Sequence, residues 1–174
     1  LKHGLYEEFY NDFKNVLIPF QKPEVYGRSI LENSSFIVSS AFPYPKLQGN
    51  GFVARLSGST VEFLQLWLII NAGKTPFFLN DKNELNLRFS PILAGWLFCP
   101  KEKTYSFKFL SRISMVYHNP KRLNTFGQNS VSIKKIILID NTNRAVNIDS
   151  DTIPAPYAQK VREREVKSID IYLE

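Results

Sequence analysis

Hydrophobic and polar residues alternate with two different periods along this chain, and the change comes near its middle. Leu5, Phe9, Phe13, Val16 and Leu17 recur at three and four, which predicts a helix from Leu5 to Leu17 closed by Pro19 and Pro23. The stretch Ser29–Ser40 is ambiguous. Leu31, Ser34, Ser35 and Val38 suit the face of a closely packed helix, whereas Phe36-Ile37-Val38 alone suits a strand. Ala41 to Gly51 holds two prolines and two glycines and reads as a loop.

Residues 60–72 form the clearest helix. Phe63, Leu64, Trp67, Leu68 and Asn71 share one face, and Gly73 stands in the C-terminal capping place. Leu66, Ile69 and Ile70 make the opposite face apolar too, so burial on several sides is expected. From Glu84 the period becomes two. Glu84–Phe89, Tyr105–Phe109 and Lys167–Leu173 alternate cleanly, Val131–Ile139 adds another strand, and Asn119-Pro120 and Asp140-Asn141 mark turns. The predicted class is α+β: helices over 1–73, then an antiparallel jelly-roll-like β-sandwich over 74–174.

Composition narrows the possible functions. An apolar share of 44% with fourteen Phe and eight Tyr indicates a folded, aromatic-rich protein. Such rings serve as sugar platforms in some proteins and as plain sandwich core in more; Trp67 and Trp96 read as core. The net charge is +6, and all of the excess lies after residue 73. Lys82, Arg88, Lys108 and Arg112 are scattered singly, so the pattern is a solvated strand face and not a nucleic-acid surface. One cysteine, Cys99, excludes an internal disulfide and a cysteine-rich zinc site. Two histidines, His3 and His118, are too few for a histidine-based metal site, and His118 reads as a turn residue. No signal peptide and no run of membrane-spanning length is evident, so a cytoplasmic location without membrane contact is expected. The chain opens on Leu1 without Met, as expected of a fragment or processed piece.

Chemistry concentrates where the two periods meet. Gly49-Asn50-Gly51 and Leu56-Ser57-Gly58-Ser59 lead straight into the strong helix. A helix start offers free backbone N–H groups and the positive end of the helix dipole, which suit an oxyanion or a sugar hydroxyl. Ser59-Thr60-Val61-Glu62 also matches a capping box, with Ser59 as N-cap and Glu62 reaching back, so simple capping competes with a phosphate site. Upstream, Glu32 and Asn33 lie among small and apolar residues. Glu32 either pairs structurally with Arg28 or contacts a sugar. No carboxylate pair for acid–base chemistry, nucleophile motif, P-loop or Rossmann glycine pattern is present.

Phe36-Ile37-Val38-Ser39-Ser40, the Gly49-Asn50-Gly51 loop and Leu56-Ser57-Gly58-Ser59 before an aromatic-bearing helix resemble the end of the catalytic domain in family 94 of the glycoside hydrolases, the cellobiose-phosphorylase-like enzymes. Leu85 to Trp96, with its apolar strand, Pro91 and Trp96, resembles that family's lead-in to a C-terminal β-sandwich. Gly27-Arg28-Ser29 and Leu31-Glu32-Asn33 are closer to an oligoglucan-phosphorylase branch.

The resemblance implies the last helices of an (α/α)6 barrel followed by a jelly-roll-like domain. It implies inverting phosphorolysis of a β-glucoside to a sugar 1-phosphate, with inorganic phosphate as co-substrate and no cofactor or metal. Ser57, Gly58 and Ser59 would hold phosphate, and Arg28, Glu32, Asn33, Gln48 and Arg55 would contact substrate. The expected partners are an oligosaccharide, phosphate and the missing N-terminal part of the same enzyme, with a homodimer compatible.

Two stretches depart from the family pattern: Val53-Ala54-Arg55 replaces aromatics before the loop, and Thr60-Val61-Glu62 replaces Ala-Gly-Trp after it. The family's catalytic aspartate lies far upstream, so this chain alone should be inactive. The rival readings are a non-catalytic carbohydrate-binding module and an interaction domain that docks a partner through the apolar helix.

Overall fold

The computed structural model describes residues 1–17, 20–27, 36–52 and 58–174. The chain divides into two compact units, Leu1–Trp67 and Leu68–Glu174. Both helices and strands are present, so the protein is of the mixed α+β class.

In the first unit, α1 (Tyr6–Val16) runs one residue short of the predicted helix at each end. Its packed face differs from the predicted one. Tyr10 is the buried residue, whereas Leu5 and Val16 are more than half exposed. Tyr10 meets Phe9 and Phe13 at centroid distances of 5.1 and 5.9 Å, and Phe13 meets Phe20 at 6.2 Å. An aromatic pair next to one another in sequence thus widens the stripe that spacing at three and four would draw. A short α2 (Pro23–Tyr26) begins on proline and ends on Gly27 in the left-handed region, the usual punctuation of a helix.

Two short antiparallel strands follow, β1 (Phe36–Ile37) and β2 (Gly51–Phe52), paired as Phe36 with Phe52 and Ile37 with Gly51. Their connection is the predicted loop. The remainder of the ambiguous 29–40 stretch before Phe36 lies outside the described residues.

Helix α3 (Gly58–Ala72) contains the predicted 60–72 helix and starts two residues earlier. Gly73 caps it at φ +98, with its N–H bonded to Ile69 O at 3.0 Å. Burial on several sides is confined to the last turn. Ile69, Ile70, Asn71 and Ala72 are buried, while Val61 and Leu64 are 67% and 61% exposed.

In the second unit, β3 (Phe77–Leu79), β4 (Leu85–Arg88) and β9 (Thr152–Ile153) form a three-stranded antiparallel sheet in that order. A five-stranded sheet joins β5 (Thr104–Phe109), β6 (Ile113–His118), β10 (Val166–Leu173), β7 (Ile133–Asp140) and β8 (Ala145–Ile148), again in spatial order. The predicted strands at 84–89, 105–109, 131–139 and 167–173 are all present within a residue or two. Strands β3, β6 and β8 and the helix α4 (Tyr157–Arg162) are additions that the alternation did not single out.

One pairing corrects the expectation of a wholly antiparallel arrangement. β10 inserts between β6 and β7, antiparallel to β7 but parallel to β6, with Ser168 opposite Ser114 and Tyr172 opposite His118. Alternation tells which face of a strand is buried but not the direction of its neighbour. Here the segment after β6 passes through β7, β8 and β9 and then α4 before β10 returns, which leaves room for a parallel crossover.

The inward residues of both sheets share one core. Ile113, Met115 and Tyr117 on β6 and Ile169, Ile171 and Leu173 on β10 meet Leu87 on β4, Ile153 on β9 and Ala158 and Val161 on α4. Phe109 bridges to the loop after β4 through Phe89 at 5.5 Å, edge to face, and to β3 through Phe77 at 6.2 Å. The segment Pro91–Phe98 is tied to Asn119–Thr125 by polar bonds. Thr125 Oγ1 donates to Pro91 O at 2.6 Å and accepts from Leu93 N at 2.8 Å, and Gly95 N donates to Asn124 Oδ1 at 2.8 Å. Gly95 has no room for a side chain, because a Cβ there would strike the Arg122 carbonyl. That crowding gives the Ala94-Gly95-Trp96 sequence a structural reason.

Candidate functional site

The helix start singled out in the sequence is a real feature of the chain. α3 begins at Gly58, inside Ser57-Gly58-Ser59, and runs for 15 residues. Its first N–H groups have no intrahelical carbonyl to bond, and its aligned peptide dipoles place partial positive charge at that end. Because the helix already includes Gly58, Ser59 stands inside the first turn instead of at the N-cap position the capping-box reading assigned it. The Ser59 side chain lies outside the described residues, as do Ser57 and Arg55 entirely. Arg28, Glu32 and Asn33 also lie outside them, so no geometry is assigned to the Arg28–Glu32 alternatives.

Gln48 is described, and its amide is already engaged. Nε2 donates to Phe42 O at 2.8 Å. It belongs to a loop, residues 38–50, whose two ends are bonded together: Val38 N donates to Asn50 O at 3.1 Å and Gly49 N to Val38 O at 2.9 Å. Within it, Ala41 N donates to Ser39 Oγ, Phe42 N to Ser39 O, and the 3₁₀ turn Pro45–Leu47 closes through Leu47 N on Tyr44 O and Gln48 N on Pro45 O. This is a compact surface loop with its own internal bonding.

The glycines at its foot are required by close approach. Gly49 has φ +84, and a Cβ on Gly51 would overlap the ring of Tyr26, which is buried. The loop tip carries Phe42 and Tyr44 with ring centroids 5.8 Å apart, 40% and 66% exposed. The sequence pattern did not single out these two rings. The available signal was an aromatic on either side of Pro43, in a loop too polar and proline-rich to bury them.

In the second unit, His118 is more than a turn residue. It ends β6, its Nε2 lies 2.7 Å from Asp170 Oδ1, and its ring stacks on Tyr172 at 4.4 Å and 8°. All three stand on the outward face of the β6–β10 pair, and the parallel register that brings them together was not visible in the sequence.

Trp67 and Trp96 are both more than one-third exposed, against the expectation of core positions. Trp67 sits in the uncovered half of α3, and Trp96 on the 3₁₀ turn Gly95–Leu97.

Two tyrosines show what burial does in this unit. Tyr105 is pushed up to about 12 by loss of water, with a side-chain hydrogen bond to Asn71 pulling the other way. Tyr117, wholly buried, lies well above the usual phenol range for the same reason; its hydroxyl donates to Asn71 O at 2.7 Å. Both groups are neutral structural phenols, not poised acids or bases.

Among the described residues, no cluster of three or more His, Cys, Asp or Glu side chains could hold a metal ion, and no helix is long and apolar enough to cross a membrane. No protein-family model and no curated protein matches this chain.

Proposed function

We propose that this chain is the C-terminal portion of an inverting carbohydrate phosphorylase that cleaves β-linked oligoglucans with inorganic phosphate to give a sugar 1-phosphate. The observation that carries this reading is the start of α3 at Gly58, within Ser57-Gly58-Ser59, after a glycine-bearing strand. Phosphate is a ready-made nucleophile, so its site needs donors that hold it in line with the anomeric carbon more than it needs a general base. The backbone N–H groups of a helix's first turn, with no Cβ at Gly58 to hold the anion off, meet that need.

In this reading the helices before residue 74 close an (α/α)6 barrel and residues 74–174 form its jelly-roll-like companion. The acid that protonates the leaving oxygen resides in the rest of the barrel, and the enzyme is cytoplasmic. The uncovered apolar half of α3, from Val61 to Leu68, fits a helix that packs against further barrel helices.

The test is a phosphate titration of the isotope-labelled chain at constant ionic strength, followed through backbone amide resonances. Saturable shifts centred on Gly58 and Ser59, abolished in Gly58→Val with the remainder of the spectrum unchanged, are expected. Shifts that fail to saturate, or that survive in Gly58→Val, would remove the phosphate role.

A second reading has an observation of its own. Exposed Trp67 and Leu68 on α3, and Trp96 on the second unit, also suit a non-catalytic carbohydrate-binding or interaction module. Self-association abolished by Leu64→Glu, without phosphate or sugar affinity, would favour that module.

A further inference from the structure

We draw no further inference here: the strongest candidate, the apolar surface patch that α3 exposes from Val61 to Leu68, carries none, because nothing in the structure shows what covers it.

Discussion

The two units bury their aromatic and aliphatic residues to different extents. From Leu68 onward, strands β4, β6 and β10 turn alternate residues into one shared core, and Leu87, Ile113, Met115, Ile169 and Ile171 are sealed from water. Before it, several large apolar side chains stand outward, Phe42 and Tyr44 on the loop and Val61 and Leu64 on α3, while Tyr10 and Tyr26 are buried. The glycines follow the same division of labour. Gly95 admits a carbonyl inside the second unit's core margin, whereas Gly51 lets the β1–β2 hairpin settle on Tyr26. The contrast is one of extent: the second unit gathers its inward strand residues into one core, and the first buries fewer of its large side chains.

The comparison can be broken most forcefully in the core. Ile171→Ala removes a wholly buried side chain between β6 and β7 and should cost about 2–5 kcal/mol in the second unit. Val61→Ala, on the exposed part of α3, should change stability by no more than about 0.5 kcal/mol. Denaturant melts of the two variants check this, and equal losses would erase the distinction.

A smaller effect is expected at the hinge of the loop. Gly51→Ala drives a methyl into the buried Tyr26 ring and should cost about 1–3 kcal/mol, read as faster amide exchange in residues 36–52 with protection of β6 and β10 unchanged. Loss of protection throughout both units would mean that they do not respond separately.

Alkali should sharpen the contrast further. Tyr105 and Tyr117 hold their protons more tightly in the folded unit than the ordinary phenol, which titrates near 10. The unfolded chain therefore binds fewer protons than the folded one above about pH 10, and folding stability falls with rising pH there. The contribution is fully present below about pH 10 and is lost as pH rises through the folded values. Tyr117→Phe should flatten that alkaline decline, at a cost near neutrality of about 1 kcal/mol from the lost bond to Asn71 O. An alkaline slope identical to wild type in Tyr105→Phe/Tyr117→Phe would overturn this account.

The smallest change is expected at His118. Its pair with Asp170 lies on the outward sheet face, partly open to water, so Asp170→Asn should cost about 1 kcal/mol or less and less still in high salt. A loss as large as that in Ile171→Ala would make the His118–Asp170–Tyr172 trio, and not the core, the element that secures the parallel β6–β10 pairing.

Much of the architecture was legible in the residue pattern because it depends on local periods. Alternation placed β4, β5 and β10, the Val131–Ile139 run placed β7, and a run of apolar residues ending in glycine placed α3 and its cap. β6 alternates as well, with Ile113, Met115 and Tyr117 inward, but sits directly after a tight turn at Leu110-Ser111 in the left-handed region that no glycine announces. Of the candidate site, the helix start was legible from Ser57-Gly58-Ser59, whereas the bond of Gln48, expected as a substrate contact, to the Phe42 carbonyl was not. The exposed rings of Phe42 and Tyr44 were not, because a loop aromatic has the same local signature whether it turns inward or out.

By itself, then, the sequence determined the α+β class, the change from helical to alternating period, the cap at Gly73 and the donor-rich start of α3. Each follows from side-chain periodicity or from the conformational freedom of particular glycines, properties carried by a few neighbouring residues. Only the tertiary structure decided the parallel insertion of β10 between β6 and β7, the exposure of Val61 to Leu68, the meeting of His118 with Asp170 and Tyr172, and the outward set of Phe42 and Tyr44. Those depend on which distant segment arrives beside which, and a local pattern carries no record of its eventual neighbour.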